Sequence, residues 1–251
     1  MEFRSARFAG DPLLREIFED PDSGTRKLGP GSPAASVALV QQALWDLTIV
    51  EAVDSQITHA TFVLGSYGPL TMRAVIAYKT RYDIHFPPDE PVGFIDEFAG
   101  PRTLRRLDGH CALLDLAVES ILAKARDLQA GGMALVLPPH PDPAAPTTIP
   151  VPGTTGCERS FFLGAEVRGH VYFRPELDAF EVHGVIDHFY REEAGGPAGP
   201  LGFPVSDRED REDGAIARFQ GGDLVLDAQT GAVTTRLDGN VVAPGDALSV
   251  F

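Results

Sequence analysis

Seven prolines crowd a short stretch, at positions 138, 139, 141, 143, 146, 150 and 152. Each fixes φ and removes a backbone donor, so neither a helix nor a central strand can run through the segment. The stretch therefore reads as an extended, semi-rigid spacer. What lies on either side of it follows a different rule of patterning, and the chain divides accordingly.

Before the spacer the apolar residues recur at helical spacing. Val37, Val40, Gln41, Leu44 and Leu47 define one helix, with Ser36 as its expected N-cap. A second is expected from about Thr71 through Ala74, Val75 and Tyr78, and a third from about Thr103 with Leu104 and Leu107. The longest amphipathic pattern, Leu114, Val118, Ile121, Leu122, Ala125 and Leu128, predicts a fourth, stopped by Gly131 and Gly132. After the spacer, Val171-Tyr172-Phe173 and Leu224-Val225-Leu226 are short strand patterns. Between them Val185 to Glu193 predicts one helix with Ile186, Phe189 and Tyr190 on its apolar side. The expected fold class is α+β: a small helical domain with an extra C-terminal helix, then a β-rich module. The boundaries are a lead-in at 1–27, the helical domain at 28–133, the spacer at 134–156 and the β-rich module at 157–251.

Charge narrows the choice of partner. The chain of 251 residues carries a formal charge of −15 and no basic tract. A nucleic-acid binder needs clustered Lys and Arg to displace phosphate counterions, and an anionic bilayer repels the same excess. No apolar run approaches the roughly 20 residues of a membrane span, so membrane insertion is not expected either. Met1 to Asp20 has no apolar h-region and reads as something other than a secretory signal. Synthesis in the cytoplasm is the expectation, with any particle-associated or extracellular life reached by a non-classical route. The two cysteines, Cys111 and Cys157, are too far apart in the chain to form a C-x-x-C site and are expected to be free thiols.

Tyr67-Gly68-Pro69-Leu70-Thr71 is echoed by Ala99-Gly100-Pro101-Arg102-Thr103. Glycine permits a tight turn, proline suits the first helical position, and a threonine hydroxyl can bond free amides of the first turn. With the helix carrying Gln41-Gln42 ahead of them, these two copies resemble the peptidoglycan-binding-domain family of three-helix cell-wall modules. The matching segments are Val37 to Leu47, Tyr67 to Lys79 and Gly93 to Leu107. Two segments depart from the family pattern: Ile49 to Ser66 is longer and more apolar, and Val92 to Pro101 is stretched. The resemblance implies a non-catalytic groove for peptidoglycan near the helix that begins at Thr71. The lead-in from Phe3 to Pro12 is similar to segments preceding this module in proteins of extracellular contractile injection systems.

In the second half, Leu201-Gly202-Phe203-Pro204 is followed by an acidic loop and then by Phe219-Gln220-Gly221-Gly222-Asp223-Leu224. This resembles the LGFP repeat of actinobacterial cell-wall-associated proteins, over residues 160–240. Gly169 to Phe173 with Asp178 to Phe180 reads as a partial earlier copy of Gly222 to Leu226 with Gly231 to Val233. The resemblance implies attachment to cell-wall polymer.

Several constellations admit both a chemical and a structural reading. Trp45, Tyr67, Tyr78 and Tyr82 offer flat faces on which sugar rings stack, but Trp45 also fits a core position. Thr71 and Asp96 stand beside the implied groove, and Phe203 is either a ligand contact or a packing residue. Asp89, Glu90, Asp96 and Glu97 supply carboxylates, which become an acid–base pair only when held at opposed positions. His188 and Glu192, four apart, offer a metal two ligands, and two do not make a site. Cys157 lacks an oxyanion-loop pattern, and the run Asp207 to Asp213 interleaves arginine with acid as a solvated loop does. No catalytic residue, metal or cofactor is expected. The leading reading is binding of peptidoglycan or attached glycan through two modules. The alternatives are a structural or cargo protein of a contractile injection particle, and a hydrolase whose active site has no linear motif.

Overall fold

The computed structural model describes residues 2–21, 25–85, 93–138, 146–164, 167–237 and 240–242. Asp89 and Glu90, and prolines 139, 141 and 143 of the spacer, lie outside the described residues. The fold is α+β, with helices in the first half and antiparallel sheets in the second. The chain forms two compact units, one holding Met1–Asp115, the other Leu116–Pro139 and Thr147–Phe251.

The first unit contains α1 (Pro12–Glu19), α2 (Ala34–Asp46), α3 (Ile49–Val53), α4 (His59–Phe62), α5 (Pro69–Arg81) and the start of α6 (Pro101–Ala130). The lead-in is part of this core. Asp11 caps α1 by accepting from the Leu14 amide at 2.8 Å, and Phe8, Leu14 and Ile17 are fully buried. Burying three such side chains contributes about 5–8 kcal/mol of transfer free energy. Asp108 receives the amides of Arg4 and Ser5 at 2.8 and 3.0 Å, tying the amino terminus to α6.

Two local expectations are corrected. Ser36 is not the N-cap of α2: the helix begins at Ala34 after Pro33. The Ser36 hydroxyl donates instead to the Asp11 carboxylate at 2.9 Å, joining the helix starts of α1 and α2. The third and fourth expected helices are one continuous helix of 30 residues, α6, which runs through Gly109. A lone glycine costs a helix only about 1 kcal/mol relative to alanine, which apolar residues on both sides offset. The end of α6 is as expected: Gly132 has φ of +95°, and the Met133 and Gly132 amides return to the Leu128 and Gln129 carbonyls. That double return is the Schellman closure.

The second unit contains two antiparallel sheets and α7 (Gly184–Glu192). The first sheet has β1 (Leu135–Val136), β2 (Ile149–Pro150), β3 (Cys157–Leu163), β4 (Val167–Arg174) and β5 (Asp178–His183). β1 and β2 pair with different stretches of β3, so Pro150 sits on an edge strand, where its missing donor costs least. The second sheet is the meander of β6 (Glu209–Arg211), β7 (Gly214–Phe219), β8 (Gly222–Asp227), β9 (Val233–Leu237) and β10 (Asn240–Val242). The two segments read as copies each form the last hairpin of a three-stranded meander, β3-β4-β5 and β7-β8-β9. Tyr172 and Val182 from one sheet, Ile186 and Tyr190 from α7, and Ala217, Phe219 and Leu224 from the other share one core. The acidic run expected as a loop forms β6 instead. Its charges suit an edge strand, which must not template pairing with another chain.

Candidate functional site

In the first unit the residues that suggested a groove are held mainly by one another. Gln41 donates through Nε2 to the Thr71 hydroxyl at 2.8 Å and to the Ser66 carbonyl at 3.1 Å. Its Oε1 accepts from the Leu64 and Gly65 amides at 3.1 and 2.8 Å. Thr71 therefore does not cap α5, which begins at Pro69 after Gly68. Its hydroxyl serves the Gln41 clamp and donates to the Ser66 carbonyl at 3.3 Å.

Trp45 is buried beside His59 and Phe62, with ring centroids 5.4 and 6.4 Å away. Tyr67 is buried and donates to the Glu97 carbonyl at 2.6 Å. Burial, chiefly, holds its hydroxyl above the usual phenol range. Tyr78 is wholly covered and bonds His110 Nδ1 at 2.9 Å. Asp96 is half-buried and pairs with Lys79, whose own pKa is lowered by burial despite that partner. Tyr82 is half-buried, between Tyr78 at 4.9 Å and His110 at 4.2 Å, with the Arg106 guanidinium 5.8 Å from its ring. Of the four rings expected to stack on sugar, Tyr82 is thus the one with a partly open face.

In the second unit the signature residues build a turn. Leu201 and Phe203 are buried in the shared core. Gly202 has φ of +64°, and a Cβ there would meet Gln220 Oε1 at 2.9 Å, so glycine serves both conformation and space. The Phe203 amide donates to Gln220 Oε1 at 3.1 Å and the Gln220 amide returns to the Phe203 carbonyl at 3.0 Å. Tyr190 of α7 donates to the Gly202 carbonyl at 2.5 Å. Pro204 forms an isolated bridge with Phe219. A Cβ on Gly156 would lie 2.2 Å from the Phe203 ring, so glycine lets that ring approach the backbone. Phe203 is a packing residue in this arrangement, with no free face for a ligand.

Beside the turn lies a polar cluster that the sequence reading missed. Asp187 of α7 holds His170 Nδ1 and the Tyr172 hydroxyl, both at 2.7 Å, and all three side chains are buried. Arg191, one turn along, donates to Glu158 at 2.8 Å and reaches the Tyr172 hydroxyl at 3.4 Å. His183 Nδ1 meets buried Glu181 at 2.7 Å. The i, i+4 spacing of Asp187 and Arg191 was readable, but their partners on β3 and β4 are set by pairing register. Buried and paired, these groups fix α7 on the first sheet. His188 and Glu192 are exposed. Among the described residues no group of three or more His, Cys, Asp or Glu side chains is placed to hold a metal. No helix among them is long and apolar enough to cross a membrane. Cys111 and Cys157 are buried, which pushes each thiol up to about 12 and leaves neither as a thiolate near neutral pH.

Residues 201–238 match the LGFP repeat family. The match begins on the first residue of the signature turn and covers β6 to β9, supporting a cell-wall-associated module in the second unit. No curated protein matches the chain.

Proposed function

We propose that the protein is a non-catalytic binder of bacterial cell-wall polymer, peptidoglycan or glycan attached to it. The observation that carries this reading is the LGFP match on a turn whose every signature residue has a structural task. That turn is a rigid support, so recognition belongs to the side chains it displays around it. The first unit adds a second contact surface near Tyr82 and Asp96, the half-exposed members of its candidate set. Two weak surfaces on one chain gain avidity through effective concentration.

Sedimentation with purified sacculi tests the proposal, using preparations with and without covalently attached polysaccharide. Pelleting with both places recognition on peptidoglycan itself. Pelleting with decorated sacculi alone places it on the attached glycan. A chain that stays in the supernatant with both removes the proposal.

A further inference from the structure

The first sheet of the second unit holds a cation with no counter-charge among the described residues. Arg159 lies in the middle of β3, opposite Val171 of β4, which in turn faces Glu181 of β5. On its other edge β3 pairs with β2, Ile149 opposite Glu158. Thr148 is the bend residue just before β2, and continuing that antiparallel register by one residue brings it level with Arg159.

Both residues have unmet hydrogen-bonding capacity. Arg159 Nε and Thr148 Oγ1 are buried without a partner among the described residues, and Thr148 as a whole is 2% exposed. Among the described residues no carboxylate offsets the arginine, and burial acts to lower its pKa. Glu181 is two strands away, about 10 Å by strand spacing, beyond fully buried Val171, and its Oε2 is bonded to His183. Arg208 and Arg236 also have a buried Nε without a partner among the described residues, but Arg208 meets Asp210, as Arg191 meets Glu158, and burial lowers the pKa of Arg159. A buried donor left unmet is costly, and a charged one more so. Arg159 as a whole residue is half-buried, unlike Thr148.

We propose that Arg159 and the Thr148 hydroxyl form a subsite for an oxyanion, the carboxylate or phosphodiester of a wall polymer. The guanidinium offers a planar fork of donors that matches two oxygens of such a group, and the hydroxyl offers one more. The proposal rests on the cell-wall reading only for the source of the anion.

The test uses the full chain, isotope-labelled, following arginine Nε–H resonances by NMR while sodium acetate or dimethyl phosphate is added. The Arg159 signal is assigned by its loss in R159Q. It is expected to move saturably, while that of exposed Arg73 drifts without saturating. T148V, which keeps the shape and removes the hydroxyl, should weaken the apparent affinity about tenfold. Response to acetate alone identifies a carboxylate, and response to dimethyl phosphate alone a phosphodiester. An Arg159 signal that tracks Arg73 with both probes, or a T148V response equal to wild type, overturns the subsite. Sacculi then separate the two claims. Saturable anion binding without pelleting keeps the subsite and removes the polymer reading. Equal pelleting of wild type and R159Q, with no anion response, removes the subsite and keeps the reading.

Discussion

Gln41 shows how one side chain can set a local fold. Its amide group satisfies two backbone donors, a backbone carbonyl and a hydroxyl, all in the segment that delivers the chain into α5. Gln41→Leu keeps the volume and strands those partners, so a loss of about 2–4 kcal/mol is expected. Trp45 is the sole tryptophan and is buried in the same unit, so its emission during urea unfolding reads the change. An unaltered midpoint would remove the clamp from the account. His110 makes a second residue-scale prediction. Burial first, and Arg106 second, lower its pKa from 6.5 to about 4. The folded ring stays neutral where the unfolded one takes up a proton, so its contribution is complete above pH 6.5. It is lost as pH falls from 6.5 towards 4. The ring is partly solvated, so the loss is expected at about 1–2 kcal/mol, below the full value of the shift. The same Trp45 measurement at pH 7 and pH 5 should show the difference in wild type and a smaller one in H110Q. Equal differences in the two proteins would overturn it.

At the scale of elements, α7 is the piece whose removal should cost the second unit most. Its apolar side enters the core and its Asp187 holds two buried donors from β4. Asp187→Ala leaves His170 and Tyr172 unpaired, and a loss of about 3 kcal/mol is expected. Thermal unfolding followed through the near-ultraviolet signal of tyrosine measures it, and a loss under about 1 kcal/mol would make the cluster dispensable. The existence of α2, α5 and α7 was legible because each carries its own apolar period. The signature turn was legible because glycine and proline act locally. Ser36 and Thr71 were misread for one reason: a hydroxyl near a helix start satisfies the capping rule, yet each bonds a residue distant in sequence. The division of α6 into two helices followed two apolar patterns, one from Thr103 and one from Leu114, which the structure joins in a single helix. The Asp187 cluster and the Arg159–Thr148 pair were illegible, since only strand register brings their members together.

On the proposed function the whole molecule would bring an acidic chain to an acidic surface, and that fixes the sign of the expected salt effect. The chain carries −15, and sacculi present carboxylates and phosphodiesters. Repulsion between two such bodies acts over the Debye length, about 30 Å at 0.01 M salt and about 8 Å at 0.15 M. Contacts inside a subsite act over a few ångströms and are screened much less. Raising salt across that range should therefore weaken the long-range penalty more than the local attraction, and the pelleted fraction should rise. A protein held by a basic patch behaves the other way, because salt erodes the attraction that recruits it. Stripping phosphodiesters from the sacculi lowers the opposing charge and should flatten the response. Sedimentation across a salt series with native and stripped sacculi measures both slopes. A pelleted fraction that falls steadily from the lowest salt upward would mean that general attraction to a polyanion, in spite of the net charge, drives association.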